Sequence, residues 1–185
     1  MFKSPRDAYA NLPEADWFDT KFTTRGYLSN GISFDTSLYG DAGDDKFVVY
    51  HNRAPLSLQG GSDDDSFTIR AFVQLNEDQA KKRLTNINGG QGADFVEYAV
   101  NAPVKIDGGD GFDTMVIIGT EFGDDIVVTQ TGVYGAGLFV EYRGVESIEV
   151  DMAEGNDRFY VFGTPAGVST NLIGGLGSDT FNVGG

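Results

Sequence analysis

Apolar side chains recur along this chain in short alternating runs, not in helical stripes. Two residues after each of seven aspartates stands an apolar residue: Phe47, Phe67, Val96, Met115, Val127, Phe159 and Phe181. Seven residues before the same aspartates stands another: Leu38, Leu58, Ile87, Ile106, Ile118, Val150 and Leu172. Alternation continues outward through Val49, Ile69, Tyr98, Ile117, Val161 and Val183. A period of two on both sides of a polar turn predicts short strands, each with one buried face. No helical period is present, so the expected fold class is all-β.

The turns between these strands repeat an octapeptide rich in Gly and Asp. The sharpest copies are Gly89-Gly90-Gln91-Gly92-Ala93-Asp94, Gly108-Gly109-Asp110-Gly111-Phe112-Asp113 and Gly174-Gly175-Leu176-Gly177-Ser178-Asp179, each with its two following residues. Weaker copies end on Asp45 and Asp65, and degenerate ones on Asp125 and Asp157. Successive aspartates are 20, 29, 19, 12, 32 and 22 residues apart. About 20 residues suit two short strands and two turns, one coil of a right-handed parallel β-solenoid of the β-roll or β-helix kind. The 29-residue gap is read as one coil plus a polar loop near residues 74–84. The gaps of 12 and 32 are read as two coils. In that reading Asp125 lies on the opposite edge, and Gly132–Gly137 is a same-edge turn that has lost its acid. Two regions are expected: an N-terminal cap or incomplete first coil over 1–37, and the Gly/Asp-rich solenoid over 38–185. Phe181–Gly185 stops as a strand begins, without a polar cap, which reads as a piece of something longer.

Charge changes the picture. Twenty Asp and eight Glu face 13 Lys and Arg, for a net charge of −15. Such a chain lacks the basic footprint of a nucleic-acid binder and is repelled by anionic membranes. No run reaches the ~18 apolar residues of a membrane span, and Met1–Arg6 has no signal-peptide core. With no Cys, thiolate metal sites and disulfides are excluded. The 14 Phe and 8 Tyr supply enough apolar surface to fold an otherwise self-repelling chain.

Stacked strands lie ~4.8 Å apart, so each repeated Asp is expected above its counterpart one coil on. Two carboxylates at that separation repel by roughly 3 kcal/mol at an effective dielectric of 20. A hard divalent cation between them reverses the sign. Calcium–oxygen distances of about 2.3–2.6 Å fit such a slot, whereas magnesium prefers tighter octahedral geometry.

The octapeptide resembles the glycine- and aspartate-rich repeat of the haemolysin-type (RTX) calcium-binding family over residues 38–185. The stretch from Val145 to Val183 looks like repeat regions of very large secreted or surface proteins that carry RTX-like and Calx-β modules. The resemblance implies a β-roll with calcium between successive turns. The implied ligands are the carboxylates of Asp45, Asp65, Asp94, Asp113, Asp157 and Asp179. Backbone carbonyls of Gly60, Gly61, Gly89, Gly90, Gly92, Gly108, Gly109, Gly111, Gly174, Gly175 and Gly177 would complete the sets. Family copies are nine residues apart and load both edges. The wider spacing here predicts one metal-rich edge and one mostly bare edge, with several calcium ions in all, about three to six.

The expected function is therefore a calcium-binding structural or adhesion module of a large extracellular repeat protein, secreted or at the cell surface. Its partners would be calcium, neighbouring repeats of the parent chain, and surface polysaccharide. Folding would be coupled to calcium. A polysaccharide-binding module is an alternative, using Arg53, Lys105, Arg143 and Arg158. A calcium-dependent lyase is a third, on fold analogy alone. No catalytic constellation surrounds His51, and no enzyme activity is expected. The Phe and Tyr columns read as core, Lys81-Lys82-Arg83 as a solvated loop face, and Trp17 as part of the cap.

Overall fold

The computed structural model describes residues 20–23, 26–29, 32, 34–50, 52–70, 84–99 and 103–184. The expected loop near 74–84 (Leu84 apart), His51, Lys81-Lys82-Arg83 and Trp17 lie outside them. The described residues form strands and no helix. β1 (Thr20–Thr23) and β2 (Gly26–Ser29) pair as an antiparallel hairpin.

Four pairs of strands follow: β3 (Thr36–Ala42) and β4 (Lys46–Val49), β5 (Leu56–Ser62) and β6 (Ser66–Ile69), β7 (Thr85–Gln91) and β8 (Phe95–Ala99), β9 (Pro103–Asp110) and β10 (Thr114–Ile118). In each pair the first strand joins a nine-stranded sheet and the second a six-stranded sheet. We call one such pass a circuit. β11 (Asp125–Val128), β12 (Gly132–Gly135) and β13 (Leu138–Arg143) all enter the larger sheet. β14 (Ser147–Asp151) and β16 (Ser169–Ile173) then join the smaller sheet, and β15 (Arg158–Val161) and β17 (Thr180–Val183) the larger. Within these two sheets pairing is parallel except at β11–β12–β13, an antiparallel meander. The smaller sheet runs β4-β6-β8-β10-β14-β16, and the larger β3-β5-β7-β9-β13-β12-β11-β15-β17.

Register converts the apolar columns into a core. Leu38, Leu58, Ile87, Ile106 and Tyr142 line up across the larger sheet. Phe47, Phe67, Val96, Met115 and Ile148 do so across the smaller. Members inside the stack are buried, with Leu58, Phe67 and Met115 fully so. Each fully buried large side chain stabilises by about 1.5–3 kcal/mol. The end members are not covered: Leu38 is 44% exposed and Phe181 47%. Phe47 stacks on Phe67 at 4.9 Å and Phe159 on Phe181 at 4.7 Å, the strand spacing itself.

The expected frame fails by one residue at the Asp124-Asp125 tandem. Ile126, not Val127, pairs with Phe159 and is fully buried. Ile117, not Ile118, aligns with Tyr98 and Val150. A slip of one residue exchanges the inner and outer faces of a strand. Asp124 is thus the member of the repeat, seven residues after Ile117. Gly132–Gly137 is no same-edge turn: it is β12 and its tight hairpin, with Gly135, Ala136 and Gly137 all at positive φ.

Candidate metal centres: two columns of aspartate turns

Turns that carry the chain from the larger to the smaller sheet lie on one edge, and turns that return it lie on the other. In the first four circuits the outgoing turn opens on Gly40, Gly60, Gly89 or Gly108. A Cβ on any of them would collide with Oδ2 of its own turn's aspartate. It would also strike a carbonyl one circuit on, that of Gly60, Gly89, Gly108 or Gly144 respectively. Only glycine permits that approach. The next residue needs a left-handed backbone, with φ of 124° at Gly61, 114° at Gly90 and 110° at Gly109. Asp41 takes the same role at 72°.

These turns bring the aspartates into columns. On the outgoing edge the Asp45 amide donates to Asp65 Oδ1, the Asp65 amide to Asp94 Oδ1, and the Asp94 amide to Asp113 Oδ1, each at 2.8 Å. The Asp113 amide donates to Glu146 Oε2 at 2.9 Å. Glu146 sits on the short turn after β13, and its longer side chain supplies the acceptor there. On the return edge the Asp124 amide donates to Asp157 Oδ1 at 2.7 Å, and the Asp157 amide to Asp179 Oδ1 at 2.9 Å. Asp157 and Asp179 therefore lie on the edge opposite Asp113. The expectation of one acid-rich edge gives way to two half-length columns, one on each edge. Asp125 is outside the column and pairs with Arg158 at 3.0 Å.

The carboxylates are not simply opposed to one another. Each bond from an amide to a charged acceptor stabilises by about 1.5–3 kcal/mol, comparable to the repulsion between neighbours. The second oxygen is the unresolved one. Asp65, Asp94, Asp113 and Asp157 are at most 2% exposed, and Oδ2 of each is buried without a hydrogen-bond partner. Burial, aided by neighbouring acids and opposed by the amide bond, raises all four carboxyls above the ordinary 3.8. Asp94, in the middle of its column, is pushed up to about 6.

An outer tier of side chains braces the turns and was not read from the sequence. The Gly43 amide donates to Asp63, that of Asp64 to Asp44, that of Ala93 to Asp64, and that of Ser178 to Asn156. The signal was present as acids and Asn next to the repeated Asp. Glu146 had no such signal, because its turn lacks the motif.

The predicted glycines fall into two places. Gly60, Gly89, Gly108 and Gly174 face their own aspartate's Oδ2. Gly61, Gly90, Gly92, Gly109, Gly111, Gly175 and Gly177 hold positive φ in the turns. At the degenerate return-edge turns, Gly119 and the buried Met152 occupy the opening position, and a Cβ on Gly119 would meet Met152.

The donor set fits a hard cation in one respect. Oδ2 of Asp65 and the Gly89 carbonyl crowd one point, as do Oδ2 of Asp94 and the Gly108 carbonyl. Two buried acceptors with no donor between them call for a proton or a cation. Among the described residues no three acidic or histidine side chains converge, so remaining ligands would have to be backbone carbonyls. Of the basic residues considered for a polysaccharide, three are in ion pairs across neighbouring strands: Lys105 with Glu141, Arg143 with Asp107, and Arg158 with Asp125. A groove of about 700 Å³ beside the first two pairs includes Asn86 and Asn88 and no column aspartate.

No family model, curated protein or solved structure matches this chain.

Proposed function

We propose that the chain is a calcium-binding structural module of a large extracellular repeat protein, its circuits wound as a right-handed parallel β-solenoid and its folding coupled to calcium. The observation that carries this reading is the set of four buried carboxylate oxygens without partners, on Asp65, Asp94, Asp113 and Asp157. Calcium, when bound, supplies the positive charge that offsets their desolvation. Asp65, Asp94 and Asp113 would hold it together with the carbonyls of Gly89, Gly108 and Gly144, and Asp157 would do so on the other edge. Asp45 and Asp179 end the columns. The protein's own part is to fix the acids in line, exclude water and aim the glycine carbonyls.

A site that exists only in the folded chain turns binding free energy into folding free energy. Extracellular modules bind calcium at about 10⁻⁴–10⁻³ M, so millimolar calcium outside a cell would complete the stack. Four sites at ten times their dissociation constant would add about 6 kcal/mol together, or about 10–20 °C in melting temperature.

The test is thermal unfolding by circular dichroism in millimolar calcium, millimolar magnesium and chelator. A rise of that size with calcium and a much smaller one with magnesium is expected. Equal melting in calcium and chelator, or equal effects of the two ions, would overturn the reading.

A further inference from the structure

The outer face of the larger sheet carries a second set of side chains that take no part in the acid columns. Strand pairing lines them up in two parallel rows. One row runs Asn86, Lys105, Glu141, and the other Gln59, Asn88, Asp107, Arg143. Neighbours within a row are ~4.8 Å apart, and the rows, two residues apart on each strand, are about 6.6 Å apart. Both rows line the groove of about 700 Å³, a volume inside the ~300–1,000 Å³ of small-ligand sites. Thr131, on the turn from β11 to β12, bounds it beyond β13, where the Tyr142 amide donates to the Thr131 carbonyl at 3.0 Å.

Three features of the groove select a ligand. Its floor strands β7 and β9 are paired on both sides, so no ladder position is left for an added peptide strand and recognition falls to side chains. The cations are already matched, Lys105 by Glu141 at 2.8 Å and Arg143 by Asp107, on a chain of net charge −15. A uronate or sulfate group would have to displace one of those carboxylates. The amides, by contrast, are open. Among the described residues the side chains of Asn86 and Asn88 have no hydrogen-bond partner, and Gln59 uses only its NH₂, toward Ser57 Oγ at 2.8 Å. Each amide is both donor and acceptor, and each ion-paired carboxylate keeps acceptor capacity. Neighbouring sugar hydroxyls, themselves donor and acceptor, match that mixture. Phe139, two residues before Glu141 on the same face of β13, adds a ring that is 42% exposed, set edge-on to Tyr134 at 5.5 Å. We propose that the groove binds a neutral oligosaccharide laid across the strands. The strand spacing is close to the advance per ring of an extended pyranose chain, so successive rings meet successive side chains of the two rows. No column aspartate lines the groove, so this site does not rest on the calcium reading.

The test is a titration of the isotope-labelled chain in millimolar calcium, read by the side-chain amide signals in two-dimensional NMR. The probes are cellohexaose, laminarihexaose, maltohexaose and mannohexaose, with hexagalacturonate as the anionic arm. At least one neutral probe should shift the Asn86, Asn88 and Gln59 signals, with a dissociation constant of about 0.1–1 mM for a site of a few neutral hydrogen bonds. Asn86→Ala/Asn88→Ala should weaken that binding at least ~10-fold. Its melting midpoint should not move, since neither side chain has a protein partner to lose. Asn171→Ala, on the smaller sheet, should leave binding unchanged. No shift with any neutral probe at about 10 mM, or binding undiminished in the double variant, would overturn the proposal. Tighter binding of hexagalacturonate than of every neutral probe would overturn the neutral class, by showing that the ion pairs open. Circular dichroism of the same samples reports folding in calcium separately, so failure of this site is distinct from failure of the calcium reading.

Discussion

The outgoing-edge column and the return-edge column use one hydrogen-bonding rule to different depth. The first runs through Asp45, Asp65, Asp94 and Asp113 without interruption and is closed by Glu146. The second, among the described residues, runs through Asp124, Asp157 and Asp179. Aspartates inside a column are buried and raised in pKa, whereas Asp179 at an end is not buried. The same motif therefore acquires different chemistry from its position in the stack. An acid becomes expensive to ionise chiefly because a circuit covers it on each side; its neighbours in sequence add least, as Asp63 does for Asp65.

The largest expected effect comes from filling the glycine approach. Gly89→Ala sets a Cβ against both Asp94 Oδ2 and the Gly108 backbone carbonyl, and should cost about 3 kcal/mol or more, the overpacking of a site that cannot relax. At Gly174 the three atoms nearest an added Cβ all belong to the Asp179 side chain and none to a backbone carbonyl, so Gly174→Ala should cost less, about 1 kcal/mol. Urea unfolding of the two variants, read as midpoint and slope, measures the difference. Equal losses would mean that depth in the column is irrelevant.

Next comes charge. Asp94→Asn keeps an oxygen for the Asp65 amide and offers an NH₂ to the Gly108 carbonyl. In chelator it should stabilise the fold by about 1–2 kcal/mol, and it should shrink the gain from calcium. Asp179→Asn should stay within about 0.5 kcal/mol. A destabilised Asp94→Asn in chelator would show that the ionised carboxylate is favourable without metal.

The pH profile sharpens the same contrast. A carboxyl raised by folding stabilises the protonated state. That contribution is complete below the ordinary 3.8 and is lost as pH rises through about 6 for Asp94. Chelated protein should therefore lose stability between pH 4 and 7 in urea titrations, and calcium should remove that loss. A profile that rises over this range in chelator would contradict the burial of these acids.

The smallest effect is conformational. Ala153 holds φ at 64° in the turn that leads to Asp157, where the stacked turn has Gly175. Ala153→Gly should raise stability by roughly 0.5–1 kcal/mol, detectable as a shift in melting midpoint.

Much of this arrangement was legible in the chain. The seven-residue step from Leu58 to Asp65, or Val150 to Asp157, fixes a strand, a turn and its acid together. The change of edge was not legible. β13 alternates buried and outward positions like the strands of the parallel ladders, and a period of two carries no information on strand direction. The intervals of 12 and 32 residues could then be added as two circuits. In the structure they are half a circuit, then one circuit whose larger-sheet strand is replaced by an antiparallel meander. The tandem Asp124-Asp125 compounded this, since Gly123 precedes Asp125 by two residues and imitates the motif. Glu146 escaped because its role depends on reach across circuits, which local spacing does not encode.

The pairing of Arg70 with Glu97, Lys105 with Glu141, Arg143 with Asp107 and Arg158 with Asp125 has an electrical consequence. Exposed pairs of this kind add little stability. They do offset charge along the strands, and among the described residues none of them reaches a column aspartate. The acids of the turns therefore form two seams of unpaired negative charge, one on each edge, which gather mobile counter-ions until salt screens them.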